Sequence, residues 1–189
     1  MCNKEKEREL FNKIFSLIKR EGAEDLKKWI EDSDFFTAPA STRYHGAVEG
    51  GLLHHTINVY LQLRKLYKEF AKKKQGMDEL TPEIEESIAL VAVTHDICKC
   101  NFYEVQYRYN GDKYYAINDQ MPMGHGEKSL YIANQFVKFS LEEALAIRWH
   151  MGGFDEAVKG GTYSYNGAQK YPLVILLHIA DMLAAHLYE

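Results

Sequence analysis

The chain of 189 residues is long enough for one domain, and a chain of this size buries about 70% of its unfolded surface when it folds. Hydrophobic residues make up 46% and charged residues 26% of the sequence, which excludes an intrinsically disordered protein. The formal net charge is −4, from 23 basic and 27 acidic residues, and it argues against non-specific binding to duplex DNA.

The cysteines and the apolar segments indicate a cytoplasmic protein. Three cysteines are an odd number, and the spacing of Cys98 and Cys100 fits neither a disulfide framework nor a structural zinc site, so we expect reduced thiols. The N-terminal segment is charged and does not resemble a signal peptide. The longest apolar stretch, 173–188, is interrupted by two histidines and an aspartate, so we expect no membrane span and no membrane partner.

Helical periodicity dominates the first half of the chain. Apolar residues recur at steps of three and four over residues 4–20, 23–30 and 52–74, which predicts three helices. Residues 32–51 are punctuated by glycine, proline and serine and are predicted to form a loop.

A turn signal interrupts the helical pattern after a fourth helix. Thr81 and Pro82 predict the N-cap and first turn of that helix, which extends to about Asp96. The Asn-Gly pair at 110–111 is flanked by residues 104–109 and 112–117, which are rich in tyrosine. This pattern predicts a two-stranded β-hairpin inserted in an otherwise helical domain.

The C-terminal third returns to helix. Ser140 and Glu143 have the spacing of a capping box and predict a helix that ends near His150. The last helix is predicted from Pro172 to Glu189. The predicted fold class is therefore all-α, a helical bundle with a small β-hairpin insertion.

Histidines occupy positions at which an apolar helical stripe should continue. His55 lies on the stripe of the third helix, and His95 lies on that of the fourth and precedes Asp96. Apart from the terminal Glu189, Asp181 is the one acid of the last helix, which is otherwise almost wholly apolar. An unpaired buried carboxylate costs several kcal/mol, whereas a metal ion compensates its charge and binds neutral imidazole. We interpret these residues as ligands of one metal centre, with locally hydrogen-bonded core histidines as the alternative.

The same residues carry a family resemblance. Gly50-Gly-Leu-Leu-His-His-Thr56, Val93-Thr-His-Asp-Ile-Cys-Lys99 and His178-Ile-Ala-Asp181 resemble the HD superfamily of metal-dependent phosphohydrolases, whose ligands follow the order H…HD…D. The resemblance covers residues 41–189 and implies a helical HD domain there. Residues 1–40 are then expected to form N-terminal helices packed on this domain.

Two further histidines complete the order H…HD…H…H…D of the binuclear branches of this superfamily. The resemblance implies that the first metal is held by His55, His95, Asp96 and Asp181, and that the second is held by Asp96, His125 and His150. Such ligands suit divalent transition metals, namely iron, manganese, zinc or nickel. We favour two bound metals over one, although a histidine at a helix C-terminus is also favoured by the helix dipole alone.

The resemblance also implies the catalytic residues, which are Asp96 and Lys99. Lys99 occupies the position of the lysine in an HDxGK pattern, and Cys98 stands where that pattern has glycine. The metals would lower the pKa of a water for in-line attack on phosphorus, and Lys99 would stabilise charge on the phosphate. An exposed lysine at a helix end is the alternative interpretation of Lys99.

We expect an enzyme that cleaves a phosphomonoester or phosphodiester of a nucleotide or short nucleic acid. The expected partner is a small phosphorylated, nucleotide-like substrate and not duplex DNA. Tyrosines of the hairpin and of residues 160–167 could stack on a base, or pack against the helices beneath. A di-iron HD-fold oxygenase and a non-catalytic regulatory module that binds metal or nucleotide are the alternatives. The sequence leaves open the oligomeric state and the roles of His45, His54 and His178.

Overall fold

A computed structural model describes the backbone of residues 2–189 and the side chains of residues 4–189. Its helices are α1 (Cys2–Phe15), α2 (Ala23–Asp32), α3 (Gly51–Gln75), α4 (Pro82–Thr94), α5 (His125–Ala133), α6 (Leu141–Trp149), α7 (Glu156–Lys159), α8 (Ser164–Ala168) and α9 (Pro172–Leu183). Strands β1 (Tyr103–Tyr107) and β2 (Lys113–Ile117) form an antiparallel hairpin between α4 and α5. The predicted all-α fold with a β-hairpin insertion is therefore confirmed.

The helices that carry the predicted ligands share one hydrophobic core. Helix α3 packs against α1, α4 and α9, and α6 packs against α4, α5 and α9. Fully buried residues such as Leu63, Leu90, Ile147 and Leu177 come from four different helices of this core. Each such side chain contributes about 1.5–3 kcal/mol by leaving water. This packing fixes the relative positions of α3, α4, α6 and α9.

The first helix is shorter than its periodicity predicts. It ends at Phe15 and not near residue 20, because the backbone tightens to bonds from Leu17 N to the carbonyl of Ile14 and from Ile18 N to that of Phe15. Ile18 is only 4% exposed, so it reaches the core without remaining in a helix. An apolar pattern of this kind marks the buried face but does not mark the helix end.

Two other helices also end earlier than predicted, and both endings lie at the predicted site. Helix α4 ends at Thr94, and a tight 3₁₀ turn follows at Ile97–Lys99. His95 therefore caps the helix, and Asp96 lies between the helix and the turn. Helix α9 ends at Leu183 and continues as a π-helical turn, Ala184–Tyr188. Turns of this type are frequent at functional sites.

The hairpin is present as predicted, but its register differs by one residue. Tyr107 pairs with Lys113, which leaves a loop of residues 108–112 and not a two-residue turn. Gly111 has a φ of 88°, and its N–H donates to the carbonyl of Arg108. The N–H of Arg108 donates to the carbonyl of Asp112, which narrows the loop to residues 109–111. A β-turn followed by a left-handed glycine is the usual form of such a three-residue loop, so the glycine signal marks the turn but does not fix its length.

A buried ion pair joins the N-terminal segment to α6. Arg20 donates from Nη1 and Nη2 to the two carboxylate oxygens of Glu143, at 2.9 and 3.0 Å. The Glu143 side chain is 2% exposed and also accepts hydrogen bonds from Ser87 Oγ and from the N–H of Ser140. The last of these bonds belongs to the predicted capping box, which is confirmed.

We expect Glu143→Gln to lower the free energy of unfolding by about 2–3 kcal/mol near neutral pH, since it removes the bidentate partner of Arg20 and leaves only the longer contact, 3.5 Å, with Glu86. Burial raises the pKa of the Glu143 carboxyl, but hydrogen bonds from Arg20 and Ser87 outweigh it and hold the pKa below 4.5. The stabilisation is therefore complete above an ordinary carboxyl pKa and is lost as the pH falls through the lowered one.

Denaturant unfolding at a series of pH values tests this expectation. The difference between the wild type and Glu143→Gln should stay constant above about pH 6 and shrink in acid. Glu79→Gln, which removes a carboxylate from an exposed pair with Lys68, is the control and should unfold like the wild type. Equal stabilities of Glu143→Gln and the wild type at neutral pH would contradict the account.

Candidate metal centre

The structure brings together all six residues that the sequence predicts as metal ligands. They come from five helices: His55 from α3, His95 and Asp96 from the end of α4, His125 from the start of α5, His150 from the end of α6, and Asp181 from α9. Three of the four imidazoles are fully buried, and only that of His125, 30% exposed, is partly open to solvent. Asp96 is 3% exposed.

Asp96 lies at the centre of this group, and its two oxygens face different pairs of imidazoles. Its Oδ2 is 3.4 Å from Nε2 of His55 and 3.6 Å from Nε2 of His95. Its Oδ1 is 2.6 Å from Nε2 of His125 and 3.5 Å from Nε2 of His150. A carboxylate in this position can bridge two cations.

The second carboxylate, that of Asp181, lies beside His55 and His95. Oδ1 of Asp181 is 3.2 Å from Nε2 of His55, which is itself 3.4 Å from Nε2 of His95. One ligand atom from each of these three residues lies within 4.8 Å of the others, which is close enough to hold one ion. Asp96, Cys98 and His125 form a second group of this kind.

Each imidazole is oriented by an acceptor on its other nitrogen. Two of them contact backbone carbonyls through Nδ1: His95 that of Ala92 at 2.8 Å, and His150 that of Ile147 at 2.7 Å. The other two contact side chains through Nδ1: His55 contacts Oε1 of Glu189 at 2.9 Å, and His125 contacts Sγ of Cys98 at 3.2 Å. This arrangement leaves all four Nε2 atoms directed towards the carboxylates. Metal-binding histidines are held in this way in proteins.

One buried nitrogen of the group has no hydrogen-bond partner in the described part of the chain and could bind a cation. Nε2 of His150 is buried and has no hydrogen-bond partner among the described residues. A buried polar atom without a partner costs about 1–3 kcal/mol. A cation would accept its lone pair and those of the neighbouring Nε2 atoms, so these residues fit a divalent metal.

The pKa values of the predicted ligands are shifted by burial and by their neighbours. Burial raises the pKa of Asp96, but the charges of Lys99, His95 and His125 outweigh it and hold that pKa well below its usual range. Burial lowers the pKa of His55, but hydrogen bonds to Asp181 and Glu189 outweigh it and raise the value to about 9. Burial lowers the pKa of His95 to about 4. Asp96 is therefore ionised and His95 is neutral near pH 7, which are the protonation states that metal ligands require.

Lys99 lies beside Asp96 and not at an exposed helix end. Its Nζ donates to Oδ2 of Asp96 at 2.6 Å, and the residue is 8% exposed. Burial lowers the pKa of Lys99, but the charge of Asp96 outweighs it, so the pKa stays above its usual range. The lysine therefore carries its charge at the candidate metal centre.

A cavity of about 600 Å³ opens onto the centre. Asp96, Lys99, His125 and Asp181 form its base, and its walls are mainly aromatic and apolar side chains, namely Tyr44, Tyr103, Ile117, Met151, Phe154 and Met182. Three further histidines, His45, His178 and His186, also line it. The cavity offers a ligand an apolar compartment with one charged end.

Most tyrosines that the sequence suggested as stacking residues lie elsewhere. Tyr107 and Tyr109 point to solvent, at 70% and 110% exposure, and Tyr163 is 86% exposed. Tyr165 packs on Trp149. Among the five hairpin tyrosines only Tyr103 lines the cavity. Of the two roles that the sequence left open for these tyrosines, stacking on a ligand in this cavity is therefore available to Tyr103 alone among those of the hairpin.

The three histidines without an assigned role occupy different places. His45 stacks on His55 with ring centroids 4.9 Å apart, and its buried Nε2 has no partner among the described residues. His178 contacts the carbonyl of His150 through Nδ1 at 2.6 Å. His54 points away from the centre and pairs with Glu7.

Two residues that contact the ligands were missed by the sequence analysis. Cys98 is signalled only by its place between the His-Asp doublet and Lys99, and it is a free buried thiol that contacts His125. Glu189 has no signal in the sequence, since its contact with His55 joins segments 134 positions apart.

The fold and the site together define a helical protein with a carboxylate-bridged cluster of four histidines. A family model described as HD domain matches residues 52–186, well over half of the chain. The chain therefore belongs to the HD domain family, whose members bind divalent metals and are mostly metal-dependent phosphohydrolases. The comparisons with curated proteins and with solved structures found no match.

Between residues 2 and 189, no helix combines the length and the apolar character needed to cross a bilayer.

Proposed function

We propose that the protein is a metal-dependent phosphohydrolase that cleaves the phosphoester of a small, nucleotide-like substrate. The observation that carries this proposal is the position of Asp96, whose two oxygens each face a separate pair of imidazoles. Membership of the HD family supports hydrolase chemistry for such a centre.

The residues divide into two sets around Asp96. His55, His95 and Asp181 would hold one metal with Oδ2 of Asp96, and His125 and His150 would hold the other with Oδ1. When bound, two such metals acidify a water and polarise a phosphoryl oxygen for in-line displacement. Iron, manganese, zinc and nickel all suit this mixture of nitrogen and oxygen donors.

The chain itself supplies orientation and charge. Acceptors on Nδ1 hold each imidazole in one tautomer with Nε2 directed inward. Lys99 holds Asp96 in place and carries a positive charge to the base of the cavity, where a phosphoryl oxygen would gain negative charge. A charged donor preorganised in a site with little water stabilises such a transition state more than it would in solution.

The cavity favours a substrate with one charged end. Lys99 is its one lysine, and no arginine lines it among the described residues. Its volume of about 600 Å³ suits a small molecule whose phosphate reaches the metals while an apolar or aromatic part contacts Tyr103 and Phe154. The net charge of −4 does not favour duplex DNA as a partner. A reduced cytoplasmic setting fits the free thiols Cys98 and Cys100.

Metal-depleted protein, reconstituted separately with Mn²⁺, Fe²⁺, Ni²⁺ and Mg²⁺, tests the proposal. We expect metal-dependent release of nitrophenol from p-nitrophenyl phosphate or bis(p-nitrophenyl) phosphate, or hydrolysis of nucleoside phosphates, without oxygen uptake. Oxygen consumption without hydrolysis would indicate an oxygenase instead, and stable metal binding without turnover would indicate a regulatory module. Either result would overturn the proposal.

Two adjacent histidines provide a matched pair of variants for this experiment. We expect His55→Ala to lose turnover by at least about 10²-fold, since it removes a buried ligand and the partner of Asp181. His54→Ala changes the same residue type one position earlier, on a side chain 42% exposed, and should keep wild-type activity. Equal activities in the two variants would contradict the assignment of His55.

A further inference from the structure

Glu189 contacts the metal centre although it lies outside the range matched by the HD family model. That range ends at residue 186. Oε1 of Glu189 is 2.9 Å from Nδ1 of His55, and the carboxylate side chain is only 2% exposed. Asn58, one turn along α3 from His55, donates to the same oxygen at 3.4 Å.

The π-helical turn explains how this carboxylate reaches the centre. Helix α9 brings Asp181 to Nε2 of His55, and the wider turn Ala184–Tyr188 redirects the chain after Leu183. Glu189 then lies against the opposite nitrogen of the same ring. One C-terminal segment therefore delivers carboxylates to both nitrogens of His55.

His55 differs in this respect from the other three imidazoles. Those of His95 and His150 donate to backbone carbonyls, and that of His125 contacts a thiol. A carboxylate is a stronger acceptor than these neutral groups. It fixes the proton of His55 on Nδ1 and increases the basicity of Nε2, which is the nitrogen directed towards Asp96 and Asp181.

We propose that Glu189 is a positioning residue of the metal centre, which acts through His55 and tightens metal binding at the side of Asp181. This inference rests on the metal centre of the proposed function. Glu189 contacts Nδ1 of His55, the nitrogen opposite the one directed towards Asp96 and Asp181, so in this proposal it acts on the ring and not on the metal. Direct ligation by Glu189, whose carboxylate also lies close to ligand atoms of His45 and His55, is the alternative that the variants below separate. The ring of His45 also lies against that of His55, with centroids 4.9 Å apart.

Competition with a chromogenic chelator tests the inference without any substrate. We expect Glu189→Ala to bind Mn²⁺ or Co²⁺ about 10–100-fold more weakly than the wild type. Glu189→Gln keeps an acceptor oxygen without the charge, so it should recover part of the lost affinity. Glu79→Ala removes a carboxylate of an exposed pair and should bind metal like the wild type.

A purely structural role for Glu189 would give a different pattern. It would lower the thermal midpoint of the metal-free variant and leave the metal affinity of the folded protein unchanged, which would overturn the inference. A Gln variant that binds as weakly as the Ala variant would overturn it as well, because a direct ligand behaves in that way. In zinc-loaded protein labelled with ¹⁵N, we expect the Nδ1–H signal of His55 to move in both variants.

Metal binding and phosphoester hydrolysis by the wild-type protein show whether a failure concerns this inference alone or the proposed function as well. Wild-type protein that binds no divalent metal would contradict both. Wild-type protein that binds metal and hydrolyses phosphoesters, with unchanged metal affinity in Glu189→Ala, would contradict the role of Glu189 alone.

Discussion

Asp96→Ala is expected to abolish turnover and to lower the amount of bound metal. The variant removes the one carboxylate that faces both imidazole pairs, and it leaves the charge of Lys99 buried without its partner. Removing one preorganised electrostatic group from an active site costs about 10²–10³ in rate, and Asp96 would serve both metals, so we expect a loss of at least about 10³-fold. Steady-state kinetics and metal analysis of the purified variant measure the two effects.

Two further variants distinguish a loss of catalysis from a loss of the folded structure. Asp96→Asn keeps the shape of the side chain and should fold, yet it should bind less metal because the amide carries no charge. Asp78→Ala removes an aspartate that is 84% exposed in a pair with Lys72, and it should leave kinetics and metal content unchanged. Full activity in Asp96→Ala would refute the mechanism.

Lys99→Ala is expected to lower turnover by about 10²–10³-fold while the protein retains its metal. The variant removes the positive charge at the base of the cavity but leaves all six predicted ligands in place. Because the charge acts on the phosphate as it reacts, kcat should fall more than the metal affinity does.

Kinetics and metal titration of the same protein sample check this separation. Lys68→Ala changes a lysine of the exposed pair with Glu79 and serves as the control. Unchanged kinetics in Lys99→Ala would remove the phosphate role of Lys99 and would leave the metal centre unaffected.

The parts of the structure that follow from short-range pattern were predictable from the sequence. Helix α3 was predicted over 52–74 and spans Gly51–Gln75, and the caps at Thr81 and Ser140 form as expected. Helical phase placed His55 and His95 on buried faces because burial repeats with the helix period.

The less regular parts depend on tertiary contacts that periodicity does not encode. The end of α1 and the register of the hairpin both differ from expectation, since packing and loop geometry decide them. Helical phase alone could not bring His125 and His150 to the centre. These two histidines were predicted from the family order, and the packing of α5 and α6 against each other places them together.

Contacts between distant segments were beyond sequence reasoning. Glu189 reaches His55 only because a π-helical turn redirects the chain after α9. Cys98 contacts His125 only because the 3₁₀ turn that follows Asp96 packs against α5. Neither contact leaves a periodic signal, so each became visible only in three dimensions.

Anomalous X-ray diffraction from crystals of manganese- or iron-loaded protein tests the bridged centre most directly. We expect two anomalous peaks, one among His55, His95 and Asp181 and the other beside His125 and His150, with Asp96 between them. Metal-loaded crystals with no peak beside Asp96, or with Asp181 turned away from every metal, would contradict a centre built on these six residues.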